Sequence, residues 1–273
     1  MRNIVLALFI LCLANGHTLA VDINWVSLAP GMELCWVTSE SPSHVGDSRI
    51  LVIRVDPSTW QLDLIDHSRL EDSENKTARE WAHEHNLALA INAGMFATDY
   101  RTHVGYMEQD GQINSDEIND YQSVTAFNPR RPDLLPFQIF DLDTPGVTVQ
   151  TIRQDYASLV QNLRLIKKPG ENRWKQQDNM WSEVALGEDS EGNVLFVYSR
   201  SPFSMHDFNN EMLAAEIDLV ALQHLDGGPP AQLYINVGDF ELDYCGSYET
   251  NINENDANQI SWPIPFVLGL KQK

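Results

Sequence analysis

Strand-length apolar runs separated by turn residues dominate the chain. Ile50-Leu51-Val52-Ile53-Arg54-Val55 runs into the turn Asp56-Pro57-Ser58-Thr59, and apolar residues alternate over 60–65, which predicts a β-hairpin. Two more hairpins are predicted where 104–108 meets Asp110-Gly111 and where 184–186 and 194–198 flank Glu191-Gly192-Asn193. Helical signals are fewer. Thr77 stands three residues before Glu80 as a capping box, and Ala78, Trp81, Ala82 and His85 share one face of a helix ending near Asn86. Ser204, three before Asp207, starts a short helix through Leu213. Each helix leads into a buried strand, 87–91 and 219–222, that stops in a polar, glycine-bearing turn: Asn92-Ala93-Gly94-Met95-Phe96 and His224-Leu225-Asp226-Gly227-Gly228. Strand resumes at 232–235, while 71–76 and 251–258 read as solvated loops. With no internal repeat, heptad or long linker, the expected fold is α+β: a mixed, mostly antiparallel β-sheet with a few packed helices, in a single domain.

The first twenty residues stand apart from this pattern. Arg2, the apolar run 4–13 and Thr18-Leu19-Ala20 compose a signal peptide with cleavage after Ala20, leaving 21–273 as the folded domain. The run is too short to span a bilayer, and no later stretch approaches the roughly 20 apolar residues a span needs. The expected product is therefore exported, periplasmic or secreted, with no integral membrane segment. Export also changes the reading of Cys35 and Cys245, which form either a disulfide or two buried thiols. The sequon Asn75-Lys76-Thr77 matters only in a eukaryotic secretory pathway.

Charge narrows the partners. The chain has 18 Lys+Arg against 39 Asp+Glu and a net charge of −21, without a run of four basic residues, so nucleic-acid binding is not expected. The hydrophobic content of 43% is that of a folding globular chain, not of a disordered polyanion.

Either glycine-bearing turn alone reads as an Asn or Asp capping its own backbone. Together, and in order with other segments, they resemble the phosphodiester glycosidase family. Asn92-Ala93-Gly94-Met95-Phe96 is similar to its Asn-Gly/Ala-Gly-aromatic-Phe motif, and Val104-Gly105-Tyr106 through Asp110-Gly111 to its Gly-Leu strand and Asp-Gly turn. Gln161-Asn162-Leu163-Arg164-Leu165-Ile166 occupies the place of the Gln-Ser-Gly-Pro strand. Ala185-Leu186-Gly187, with Gly192 in the turn and 194–197 as the return strand, resembles the Arg-Thr-Ala-Ile-Gly hairpin, and Leu225-Asp226-Gly227-Gly228 matches Leu-Asp-Gly-Gly. The motif core covers about 87–235. Two positions depart: Glu183 stands where the family has Arg, and Pro229-Pro230 where Gly-Ser follows Leu-Asp-Gly-Gly.

The resemblance implies an exported hydrolase that removes a sugar from a phosphodiester-linked glycan or glycolipid, without cofactor or metal. Asp226, with Glu183 as a second carboxylate, is the candidate for stabilising charge at the anomeric carbon and positioning water. Arg164 and the N–H groups of Gly94, Gly227 and Gly228 are the candidates for holding phosphate, Arg200 being a second nearby base, and Asn92 for a sugar hydroxyl or amide. His224, alternating with Asp226 on one strand face, and His206, in the first turn of its helix, are candidates for acid/base or binding work. His67, His83, His85 and His103 lack metal-site spacing, and Trp181 is notable for preceding Ser182-Glu183. Two other readings stand beside this one: a non-catalytic carbohydrate- or envelope-binding protein on the same scaffold, and a metal-dependent phosphoesterase for which only Asp226 and His224 are visibly placed.

Overall fold

The computed structural model describes residues 23–66 and 74–273; the expected signal segment 1–20 and residues 71–73 of the polar stretch lie outside the described residues. The first half carries β1 (Val26–Ala29), β2 (Met32–Thr38), β3 (Arg49–Val55), β4 (Trp60–Asp66), α1 (Ala78–His85), β5 (Leu89–Asn92), β6 (Met107–Gln109), β7 (Gln112–Ser115), β8 (Ser123–Pro129) and β9 (Phe137–Asp141). The second carries α2 (Val149–Asp155), β10 (Tyr156–Lys167), β11 (Glu171–Asn172), β12 (Trp181–Asp189), β13 (Val194–Phe203), α3 (Met205–Ala214), β14 (Leu219–Gly227), β15 (Gln232–Val237), β16 (Phe240–Cys245) and β17 (Phe266–Gln272).

Two sheets result. A twelve-stranded sheet runs β1-β2-β3-β13-β12-β14-β10-β6-β7 with β8, β9 and β11 branching from it, and a five-stranded sheet runs β16-β15-β5-β17-β4. Strand pairing is antiparallel throughout the described residues, so this is a mostly β protein with three short helices among the described residues, more β-rich than an α+β assignment suggests. The sheets bury their facing apolar residues, Ile53, Val184, Phe196 and Leu225 of one against Leu64, Ile91, Leu233 and Leu268 of the other. On its other face the large sheet packs Val52, Ala185 and Leu222 against Phe208 and Met212 of α3.

The turns at Asp110-Gly111 and 190–193 close hairpins β6–β7 and β12–β13, Asp110 and Gly111 both having positive φ as that tight turn needs. The hairpin expected from 50–65 is not one. β3 pairs with β2 and β13 in the large sheet, whereas β4 pairs with β17 in the small one. Ile50, Leu51, Val52 and Ile53 are all buried, so β3 needs cover on both faces and neighbours on both edges, and the Asp56–Thr59 turn carries the chain across to the second layer. Both capping predictions match the fold: Thr77 and Glu80 form the reciprocal box of α1, which ends on left-handed Asn86, and the Ser204 side chain accepts from the Asp207 N–H.

The cysteines are free. Cys35 points into the layer beneath α3, while Cys245 ends β16 of the other sheet, so the large sheet lies between them. Burial pushes the Cys35 thiol up to about 12, which leaves almost no thiolate to react. The mass of the native protein is therefore expected to be the same with and without reductant, with Cys35 alkylated only on unfolding. A two-proton gain on reduction would contradict this arrangement.

Candidate active site

The two glycine-bearing turns meet, though not on neighbouring strands. Asn92 ends β5 in the small sheet, Asp226 ends β14 in the large one, and the amide of Asn92 bridges the layers by donating to Asp226 Oδ2 at 3.0 Å. Asn92 also donates to the Pro230 carbonyl at 3.1 Å and accepts from the Gln232 N–H at 2.8 Å, so its side chain is saturated and 1% exposed. It braces the site from behind and has no donor left for a sugar. Asn162 holds the same turn by donating to the Ala93 carbonyl at 2.9 Å. Gly94 is required by packing, since a Cβ there would run into His103 and Asn162, and burial depresses His103 to about 4.

A bulge sets the directions of Asp226 and His224. Val184 pairs with Asp226 but Ala185 pairs with His224, so Leu225 is the extra residue and the strict alternation expected for His224 and Asp226 is broken. Asp226 shares the side of Val184, facing Asn92 and the small sheet. His224 shares the side of Ala185 and reaches Glu183, its Nδ1 lying 2.6 Å from Oε1. The other oxygen of Glu183 accepts from the Trp181 indole N–H at 2.6 Å. Glu183 is 3% exposed, spends its oxygens on His224 and Trp181 and, unlike Asp226, is not among the residues that line the cleft, so it positions His224, which corrects its expected role as a second catalytic carboxylate.

The cleft itself has a volume of about 510 Å³. Gln177, His224, Asp226, Gly227 and Glu249 supply its polar wall, and Phe96, Tyr121, Trp174 and Trp181 are its aromatic residues. Glu249 belongs to no motif. Ser182 accepts the N–H groups of Ser247 and Tyr248, Met180 and Thr250 exchange hydrogen bonds, and the loop so held turns Glu249 toward His224. Nothing local in 247–253 signals this, because the placement depends on contacts with β12, some seventy residues earlier.

Burial governs the ionisation here. Asp226 is pushed up to about 7 by burial, against the stabilising effects of His224, the Gly227 N–H and Asn92. Burial likewise raises Glu183 and Glu249. For His224 burial acts to lower the pKa, but the adjoining Glu183 carboxylate outweighs it and the net direction is up. The pair is thus held as an imidazolium against the Glu183 carboxylate. Such a site combines a carboxyl able to carry a proton at neutral pH with a braced imidazole and a second carboxylate.

Three other expectations need correction. Arg164 lies outside the cleft, bonded to Asp141 at 3.1 Å and Asp143 at 2.9 Å, because its strand neighbour Leu163 takes the cleft-facing position. Arg200 is held in the 245–258 loop by Asp256 and the carbonyls of Cys245 and Asn258. His206 caps a different surface, its Nδ1 at 2.6 Å from the Trp174 carbonyl and its Nε2 bonded to Asn210, outside the cleft lining. Among the described residues no three His, Cys, Asp or Glu side chains gather as a metal-ligating group.

With this geometry in view, the match of the phosphodiester glycosidase profile to residues 85–271 carries weight, since it spans both turns, the bulged strand and the Glu249 loop. The chain belongs to the phosphodiester glycosidase family. Its fold is similar to the catalytic domain of zebrafish N-acetylglucosamine-1-phosphodiester alpha-N-acetylglucosaminidase auto-inhibited by its pro-peptide, with TM-score 0.61 and 15% identity over 92% of this chain and 88% of that one. A hypothetical protein from Synechocystis (TM-score 0.59, 10% identity, 92% and 64% covered) and a putative exported protein from Burkholderia pseudomallei (0.52, 12%, 81% and 73%) share it too. No curated protein sequence matches. At such identities the likeness extends to the fold, and roles must be argued from this chain's own residues.

Trp181 explains one glycine of the family motif. A Cβ on Gly227 would lie 2.5 Å from the indole Cδ1, so Gly227→Ala must displace the ring that hydrogen-bonds Glu183. We expect a loss of about 1–3 kcal/mol on denaturant unfolding, the usual cost of overpacking, with a shift in tryptophan emission. An unchanged unfolding midpoint would mean that the ring moves aside freely.

Proposed function

We propose that the protein is an exported hydrolase that breaks a bond to the anomeric carbon of a sugar held in this cleft. The observation that carries the reading is the convergence of Asp226, His224 and Glu249 beneath aromatic walls, on the scaffold of a glycosidase family. Aromatic faces suit the C–H faces of a sugar ring, and a protonated carboxyl opposite a basic one suits acid/base cleavage at C1. Asp226 is the proton donor, Glu249 the base toward water, and His224, oriented by Glu183, the charge facing the ring. Export rests on the apolar segment at 4–13; no helix among the described residues is long and apolar enough to cross a membrane.

The family description makes a sugar-phosphate bond in a glycan or glycolipid the first to try. Purified protein would be incubated with a panel of sugar-1-phosphodiesters and ordinary glycosides, with Asp226→Asn as control. Release of free reducing sugar by the wild type alone is expected. Release of sugar phosphate would favour cleavage on the phosphate side, and binding without turnover would favour a carbohydrate-binding protein.

A further inference from the structure

We infer, resting on the hydrolase reading above, that the substrate of this cleft is a glycoside whose leaving group is an uncharged alcohol or second sugar, and not a phosphate. The cleft has no permanent cation to receive an anion, the unpaired donor on its wall being the neutral amide of Gln177. None of its lining residues is Lys or Arg, whereas Asp226 and Glu249 both face it and Glu183 stands behind His224. The arginine that the family carries before its Ala-Ile-Gly hairpin is here Glu183, and its charge cancels that of His224 instead of adding to it. The two bases of the neighbourhood cannot substitute, since Arg164 is bound to Asp141 and Asp143 and Arg200 to Asp256.

The backbone donors of the Asp226 turn are engaged as well. The N–H of Gly227 bonds Asp226 Oδ1 at 2.9 Å and that of Gly228 bonds the Ser182 carbonyl at 2.9 Å. Pro229 and Pro230, which follow, have no N–H at all. A glycine turn that elsewhere would cradle phosphate is here closed on itself. A phosphodiester anion entering this cleft meets the Glu249 carboxylate with no Lys or Arg to offset it, and one like charge at about 6 Å in a medium of effective dielectric about 20 lowers affinity by roughly a hundredfold.

The chemistry agrees with the electrostatics. A departing phosphate monoester, with a second pKa of about 6, needs little protonation, whereas an alkoxide cannot leave unassisted. Asp226, which carries its proton on roughly half of the molecules at neutral pH, provides the assistance. Its proton passes to the glycosidic oxygen as the C1–O bond breaks and the bonding pair stays on that oxygen, giving the free alcohol. Water adds through its oxygen to C1 and yields a proton to Glu249, so one water is consumed and one reducing sugar released. Proton exchange with solvent then returns Asp226 and Glu249 to their starting forms.

The test compares methyl glycosides of common hexoses and N-acetylhexosamines with the methyl phosphodiesters of the same sugars at C1, reading reducing sugar released and, by calorimetry, binding to the wild-type chain. For the sugar that the cleft prefers, kcat/KM on the methyl glycoside should exceed that on the phosphodiester by about a hundredfold. Faster cleavage of the phosphodiester would overturn the inference while leaving the hydrolase reading intact. If neither is cleaved the hydrolase reading falls, and the affinities decide: tighter binding of the uncharged glycoside upholds the class of ligand, tighter binding of the phosphodiester overturns it. Binding of neither class overturns both.

Discussion

Replacing Asp226 by Asn should lower turnover at neutral pH by at least about a hundredfold, the lower end of what a positioned proton donor contributes, at a stability cost of about 1–3 kcal/mol for the one donor left unpaired. The two expectations come from the same surroundings. Asn keeps the shape but has one acceptor oxygen for two donors, so either the Gly227 N–H or the Asn92 amide loses its partner, and it has no proton to give. Stability should in fact depend less on pH in the variant. Burial raises Asp226 to about 7, above its value in the unfolded chain, so the folded state binds the extra proton. That contribution is fully present below the unfolded value near 4 and is lost as pH climbs through about 7. At about 1.4 kcal/mol per unit, the wild type should lose on the order of a few kcal/mol across that window through this group alone. Denaturant unfolding of both proteins at pH 4.5 and pH 8 checks the point. Parallel pH dependence in the two would show that Asp226 does not titrate there, and equal turnover would remove it from catalysis.

What could be read in advance divides along one physical line. Capping residues, glycine turns and apolar alternation are local, so α1, α3, β12–β13 and the turns at Asn92 and Asp226 were legible. Layer membership is not local. The run 50–65 looks like a hairpin because its two halves are adjacent and apolar, yet β3 and β4 belong to different sheets, and the choice is made by β2, β13 and β17. The same limit applies to the site. That Asn92 and Asp226 share a purpose was visible in their matching settings. That they meet across two layers, that Leu225 is a bulge and that Glu183 turns inward to His224 all follow from strand pairing. Arg164 illustrates the converse error. Its basic side chain in a motif strand invited a role with phosphate, but the two aspartates that hold it, Asp141 at the end of β9 and Asp143 just beyond, come from a strand whose approach no local pattern reveals.

Glu183→Ala should be the most destabilising single change in the site, costing about 3–5 kcal/mol, because it removes one half of a buried charged pair and leaves the other half uncompensated. His224, 4% exposed, and the Trp181 indole N–H both lose the oxygen they now bond. For a chain of this size the melting temperature should fall on the order of 10 °C. Glu183→Gln should behave differently. Its amide oxygen can accept from Trp181 while its NH₂ donates to His224 Nδ1, provided that the imidazole is neutral with its proton on Nε2. Most of the stability is then retained, but the carboxylate that contributes most to raising His224 is gone and burial is opposed only by Asp226 and Glu249, so the histidine should titrate lower than in the wild type. The sign carries through to stability. In the wild type the raised pKa makes a contribution that is complete below the unfolded value and lost as pH rises through the folded one. In Glu183→Gln that contribution shrinks, so stability should fall less than in the wild type as pH rises through the folded value. Imidazole proton resonances followed against pH in both proteins give the direction directly. An unshifted His224 in the Gln variant would mean that Glu183 does not govern its charge, and a loss below about 1 kcal/mol in the Ala variant would mean that water reaches the pair.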